Sequence, residues 1–214
     1  CEFNRFCQMA FSTVRFRCLL IFADDCLVYS SSFTQHLHDL AEVFDLVLLY
    51  NMGLNAKKCA FCRPKITYLG YVVDKDGIHP DPDKVKAILD VPFPKNRKQV
   101  KSFLGLTGHY RRFVRNYASV AQPLTSLLPL SASKFPKIPP PHALAAFKSL
   151  KLALTSPPIL GHPDFNQRFH LACDSSYRGA GCILFQSRPE GPVVLCYASK
   201  TLSETEKDYH IFKL

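Results

Sequence analysis

Two adjacent carboxylates, Asp24 and Asp25, stand between the apolar runs Arg17-Cys-Leu-Leu-Ile-Phe22 and Cys26-Leu-Val-Tyr29. The pattern reads as a β-hairpin with an acidic turn. Acidic residues serve in such turns simply because they tolerate exposure and turn backbone angles. The chemical alternative is that paired strands present both carboxylates rigidly to divalent cations. Two-metal phosphoryl transfer needs carboxylate oxygens that hold the ions about 3.5–4 Å apart. An oxygen-only donor set favours Mg²⁺ (or Mn²⁺) over zinc. These residues by themselves leave both readings open.

Other groupings are weaker. Asp174, in His170-Leu-Ala-Cys-Asp174-Ser-Ser-Tyr-Arg-Gly179-Ala-Gly181, lies near a glycine-rich turn and by itself reads as a turn residue. Cys59 and Cys62 form a Cys-x-x-Cys with His36 and His38 upstream. A structural zinc site wants a second ligand pair in a closed tetrahedral shell. Histidines at i, i+2 of a helix do not share a face. These are read as core cysteines and surface histidines. Lys95, Arg97, Lys98, Lys101, Arg111, Arg112 and Arg115 concentrate positive charge in the middle of the chain. They form either a solvated helix face or contacts to duplex phosphates, whose affinity falls with salt.

The whole composition supports a polyanionic partner. Among 214 residues, 27 Lys and Arg against 17 Asp and Glu leave a net charge of +10. An excess of that size favours nucleic acid first and an anionic membrane surface second. Apolar residues make up 47%, with 17 Phe and 9 Tyr, enough for packed cores. No apolar run approaches the roughly 20 residues that span a bilayer, and the opening Cys1-Glu2-Phe3-Asn4-Arg5 is no signal peptide. Nine scattered cysteines suit reduced thiols in an intracellular protein, cytoplasmic or nuclear.

The elements that must position these groups follow from periodicity. After the hairpin, Leu37, Leu40, Ala41, Phe44, Val47 and Leu48 mark a helix that Gly53 would end. Ile66 to Val73 is β-rich, and Asp74-Lys-Asp-Gly77 turns the chain. Helices are expected from Asp83 to Leu89, after an Asn96 N-cap, and from about Ser119 to Leu128. A Pro/Ser-rich linker covers 131–141, and a helix covers Ala143 to Leu154. Strand candidates are Phe169 to Cys173, Gly181 to Phe185 and Val193 to Tyr197. The fold class is α+β, divided as residues 1–80, 81–130, 131–141 and 142–214.

Cys18-Leu-Leu-Ile-Phe-Ala-Asp-Asp-Cys-Leu-Val-Tyr-Ser30 resembles the Tyr-x-Asp-Asp hairpin of reverse transcriptases. Further stretches follow in the order found in gypsy-like LTR retrotransposons and related retroviral Pol polyproteins. They are His36 to Phe44, Leu54-Asn55-Ala-Lys-Lys58-Cys59-Ala-Phe61, Tyr68-Leu69-Gly70-Tyr71, Gly77 to Val85, and Ser102 to Phe113. Pro163-Asp164-Phe165 and His170 to Leu184 resemble the opening of the RNase H-like domain of these elements, continued by Ala198 to Leu202 and Glu206 to Tyr209. The resemblance is collinear over essentially the whole chain.

It implies a partial palm carrying the Asp-Asp hairpin and primer grip (1–80), a helical thumb (81–130), a linker (131–141), and a connection with a truncated RNase H-like α/β domain (142–214). It further implies that Asp24 and Asp25 bind Mg²⁺ (or Mn²⁺) for RNA-directed DNA synthesis, and that Asp174 serves a nuclease centre. Phe22, Ala23 and Lys58 would lie by the incoming deoxynucleoside triphosphate. Tyr68, Leu69, Gly70 and Tyr71 would support the primer, and Lys98, Lys101, Arg111 and Arg112 the template-primer duplex. Phe22 and Ala23 depart from the commoner Tyr and larger apolar residue. The family also uses a carboxylate upstream of the hairpin and a Glu aligned just past Leu214, so the isolated chain, without the remainder of the Pol polyprotein, is expected to have neither polymerase nor nuclease activity. The rival reading is a non-catalytic nucleic-acid-binding remnant of a decayed or domesticated element.

Overall fold

The computed structural model describes residues 2–129, 134–176 and 179–207. The chain divides into two compact units, Cys1–Tyr68 and Leu69–Leu214, each with its own core. The first contains α1 (Glu2–Ala10), β1 (Leu19–Phe22), β2 (Asp25–Val28), α2 (Phe33–Leu49), a 3₁₀ turn (Ala56–Lys58) and β3 (Lys65–Tyr68). β1 and β2 pair antiparallel, with Leu19 opposite Val28 and Phe22 opposite Asp25. Cys7, Ala10, Phe11, Val14, Cys18, Leu19, Val43 and Val47 form the core under that hairpin.

Of the apolar stripe seen in the sequence, only Val47 is fully buried on α2. Asp39, Val43 and Val47 are its buried residues, whereas Leu37 and Leu48 are 50% and 76% exposed. Asp39 can be buried because Ser30 and Gln35 donate hydrogen bonds to its carboxylate, which offsets the loss of water. Ser32 caps the helix, its hydroxyl accepting from the Gln35 amide. The chain leaves α2 through Asn51, whose φ of 50° supplies the left-handed residue in place of the expected Gly53.

The second unit contains β4 (Tyr71–Asp74), β5 (Gly77–Pro80), α3 (Pro82–Asp90), α4 (Arg97–His109), a 3₁₀ turn (Arg111–Phe113), α5 (Tyr117–Thr125), α6 (Pro141–Thr155), β6 (His170–Ser176), β7 (Gly179–Arg188), β8 (Gly191–Lys200) and α7 (Glu204–Lys207). Asp81 and Asn96 cap α3 and α4 through their side chains, and Pro82 fits the first turn of α3, where an amide hydrogen has no helical partner. Val100 and Phe103 of α4, Tyr117, Ala121 and Leu124 of α5, and Phe147, Leu150 and Leu154 of α6 are buried together. The rings of Phe103 and Phe147 lie 4.5 Å apart.

Residues 160–161 tie this helical core to two sheets. Ile78 of β5 and Leu160 exchange both backbone hydrogen bonds, at 2.8 and 3.1 Å. The Gly161 amide donates to the Val194 carbonyl of β8. Lys151 adds a second tie: its ammonium donates to the carbonyls of Leu89 and Val91 at the end of α3, where positive charge is favoured. These contacts explain why β4 and β5 group with the helices. Tyr71 and Ile78 pack on the helical core, within the compact unit that begins at Leu69.

Gly77 is the point at which this strap tolerates no side chain. Its φ is +146°, and an added Cβ would collide with the Leu160 carbonyl oxygen. Gly77→Ala should therefore destabilise the second unit by about 1–3 kcal/mol through backbone strain, with more from the parted strands. Urea unfolding of the two chains measures this, and an unchanged midpoint would refute the strap.

Candidate functional site

The Asp-Asp hairpin reverses direction in two residues. Because Phe22 pairs with Asp25, only Ala23 and Asp24 form the turn. Ala23 takes a positive φ of 55° and Asp24 does not, the pattern of a type II′ turn, whose first central position glycine prefers. A non-glycine residue there carries backbone strain on the order of 1 kcal/mol or more.

Strand parity then fixes what faces where. Leu19, Ile21 and Val28 pack on the core. Phe22 and Asp25, one step out of phase with Ile21 and its partner Cys26, therefore project from the opposite face. Phe22, Ala23, Asp24 and Asp25 are all exposed. Two neighbouring carboxylates thus stand clear of the protein with acceptor oxygens free for a hard cation. Among the described residues, no three His, Cys, Asp or Glu side chains gather as a metal site. The oxygen-only pair suits Mg²⁺ or Mn²⁺, with further ligands to come from outside it.

Both ends of the hairpin are held. The Tyr29 amide donates to the Cys18 carbonyl. Ser30 Oγ then donates to Asp39 Oδ2 (2.5 Å) and Gln35 Nε2 to Asp39 Oδ1 (2.9 Å). Arg17, just before β1, reaches Asp39 at 3.8 Å and pairs with Glu42 at 2.5 Å. The Ser30 and Gln35 hydrogen bonds, with a lesser contribution from Arg17, hold the Asp39 carboxyl below the usual carboxylate range. At the tip, Tyr68 of β3 donates its hydroxyl to the Asp25 carbonyl (3.3 Å). Burial raises the Tyr68 phenol above its ordinary range, so it stays a donor at neutral pH. Lys58 ends the 3₁₀ turn in an exposed position. The segment after it is tied to α2 by an edge-to-face contact between Phe61 and Phe44.

In the second unit, Leu69 and Gly70 have φ of 52° and 79°, the two positive values of a type I′ turn. That turn is clamped by residues the sequence did not single out as site residues. Tyr110, almost fully buried, donates its hydroxyl to the Gly70 carbonyl (2.8 Å), and burial pushes its phenol up to about 12. His109 stacks on Tyr71 with ring centroids 4.8 Å apart, and the Tyr71 hydroxyl donates to the His109 carbonyl. Arg112 lies over the Tyr71 ring at 5.8 Å. Tyr71 and Arg112 are thus half-buried and engaged with each other.

The expected duplex contacts divide in the same way. Lys98 and Lys101 are exposed on α4, a turn apart, sharing a face with exposed Gly105. Arg111 is bound internally: its guanidinium donates to the Ser199 carbonyl of β8 and lies 5.6 Å from the Tyr117 ring. Asp174 is exposed on β6, opposite Gly181 of β7. A Cβ at Gly181 would run into Asn116 Oδ1, so glycine lets this sheet approach the residue preceding α5. Cys59 and Cys62 are free, and neither they nor His36 and His38 belong to a metal-ligand cluster among the described residues.

Residues 1–73 match the family of reverse transcriptases (RNA-dependent DNA polymerases), and residues 141–214 match the RNase H-like domain found in reverse transcriptase. The chain is 38% identical over 192 residues to the retrovirus-related Pol polyprotein from transposon 297 of Drosophila melanogaster, covering 89% of this chain and 17% of the polyprotein. It is 35% identical over 199 residues to the Pol polyprotein from transposon gypsy of the same organism, covering 88% and 19%. It therefore spans less than a fifth of these relatives. A foamy viral protease-reverse transcriptase in complex with double-stranded DNA shares the fold, with a TM-score of 0.84 over 99% of this chain and 37% of that one, at 20% identity. Among the described residues, no helix is long and apolar enough to cross a membrane.

The Asp39 anchor gives a pH signature. Its folded-state titration is depressed, so its contribution is complete above the unfolded carboxyl range and is lost as pH falls through the folded value. Asp39→Asn should lower stability at neutral pH and flatten the acid limb of the stability curve below about pH 4. An acid limb of unchanged slope in thermal melts from about pH 7 down to the acid end of that range would remove Asp39 from the hairpin's support.

Proposed function

The chain belongs to the reverse transcriptases of retrotransposon Pol polyproteins, and from that premise we propose that it supplies part of the site at which such a polyprotein extends a DNA primer on an RNA or DNA template. The observation that carries this reading is the exposed pair Asp24 and Asp25 at a two-residue turn whose strands are locked in register.

Asp24 and Asp25 would hold Mg²⁺ (or Mn²⁺). When bound, a divalent ion lowers the pKa of an attacking hydroxyl and neutralises charge on the departing phosphate. The chain's own work is positioning. The register keeps Asp25 on the face away from the core, and Tyr68 fixes the backbone behind it by its hydrogen bond to the Asp25 carbonyl. Phe22 and Ala23, exposed beside the carboxylates, and Lys58 would contact the incoming deoxynucleoside triphosphate.

Tyr68 to Tyr71 would steady the primer. Within the turn, Tyr110 occupies the Gly70 carbonyl, so the backbone conformation is set before nucleic acid arrives. Lys98 and Lys101 would meet duplex phosphates, with Gly105 removing side-chain bulk from the same helix face. Arg111 and Arg112 would act mainly by holding the helices and Tyr71 in place. Asp174 would contribute a carboxylate to a nuclease centre on the RNase H-like sheet. We assign residues 1–80 to the palm, 81–130 to the thumb, 131–141 to a linker and 142–214 to the connection and RNase H-like part.

In a Pol polyprotein carrying this chain, Asp24→Asn should reduce primer extension on an RNA template to background while leaving duplex affinity within about twofold. Lys98→Ala with Lys101→Ala should instead weaken binding of every duplex sequence and reduce the slope of log affinity against log salt by about 1 per lost phosphate contact. Full extension by the enzyme carrying Asp24→Asn would exclude the assignment.

A further inference from the structure

Beside Asp174 on β6 stands Cys173, and its register partner on β7 is Cys182. Directly opposed residues of an antiparallel pair have Cα atoms about 4.5–5.5 Å apart, inside the roughly 4.4–6.8 Å that a disulfide bridges. The two side chains point to the same face, their sulfurs lie 2.8 Å apart, and both are free thiols. Cys196, the remaining cysteine of this sheet, pairs with Leu184. That places it on a diagonal to Cys182, at about 7–8 Å, beyond a bridge without backbone movement. Cys173 is exposed on a strand that, among the described residues, pairs only with β7. Among the described residues, no other two cysteines have their sulfurs in contact.

We propose that Cys173 and Cys182 are a reversible thiol–disulfide couple that locks β6 to β7 next to Asp174. The oxidant is a small disulfide of the glutathione type. Cys173, the exposed thiol, loses its proton and attacks one sulfur of oxidised glutathione, forming a mixed disulfide and expelling one glutathione thiolate, which takes up a proton. The Cys182 thiolate then attacks the Cys173 sulfur, forming the cross-strand bond and expelling the second glutathione. Two protein thiols are oxidised and one glutathione disulfide is reduced to two thiols. The order of attack follows from access: Cys173 is exposed to an incoming disulfide, whereas Cys182 is half-buried. A cross-link that is exposed and short-looped is of the labile kind that such a pool can also reduce.

The bond ties the Cys173–Cys182 pair directly beside the Asp174–Gly181 pair, so it restrains fraying of the strand that carries Asp174. This holds whether or not Asp174 serves a nuclease, and the test is independent of activity. The reduced chain is treated with oxidised glutathione, remaining thiols are alkylated, and peptides are mapped by mass spectrometry without reduction. The expected result is a peptide linking Cys173 to Cys182, lost on addition of dithiothreitol, with slower amide exchange across 171–175 in the oxidised chain. In the Cys182→Ser chain, the glutathione adduct should instead accumulate at Cys173. Failure to link the two, with both alkylated or with stable glutathione adducts on the unaltered chain, would overturn the proposal, as would a dominant link between any other two cysteines.

Discussion

A chain that pairs Phe22 with Asp25 must turn in two residues, and that constraint decides the placement of everything at the tip. Strand side chains alternate, so a slip of one residue would turn Asp25 to the face that packs on the core. The apolar positions Leu19, Ile21 and Val28 prevent the slip by packing over α1 and α2. The turn itself is unfavourable, because Ala23 takes an angle that suits glycine. It persists because the strands on both sides are held more strongly than the turn resists. At the foot of the hairpin, Asp39 collects Ser30, Gln35 and Arg17; at its tip, Tyr68 holds the Asp25 carbonyl.

The second unit shows the same economy in another place. Tyr110 and His109 end α4 and clamp Gly70 and Tyr71, so a helix terminus fixes a turn formed 40 residues earlier in the chain. Residues 160–161 and Lys151 then join β5, β8 and α3 to the central helices. Arg111, bound to the Ser199 carbonyl, extends this to the three-stranded sheet. Basic residues in this region thus divide between those that build the scaffold and those, Lys98 and Lys101, whose charge is left to solvent or a polyanion. Exposed basic charge contributes the counterion release that gives salt-dependent affinity.

Much of this was legible beforehand. The Asp-Asp hairpin, the Asn96 cap, the proline at the start of α3 and the strands of the last sheet all have local signals: alternation, capping chemistry and turn residues. What could not be read came from partners distant in sequence. The face of α2 was obscured because a buried aspartate, normally a surface residue, rides on its inner side. Nothing in Arg111 or Arg112 distinguishes a phosphate contact from a cation held by Ser199 or Tyr71. Leu160 and Gly161, whose backbones together join two sheets, have no local pattern that announces them. Cys173 and Cys182 acquire meaning only once the register sets them opposite each other.

The proposed role of Asp24 and Asp25 as a shared divalent-cation site is open to a direct measurement. Manganese titrated into the isotope-labelled chain broadens the amide resonances near any ion it binds. The predicted result is selective broadening across residues 22–26 that disappears when both carboxylates are changed to amides. Broadening that leaves 22–26 untouched, or that survives when both are amides, would contradict the role.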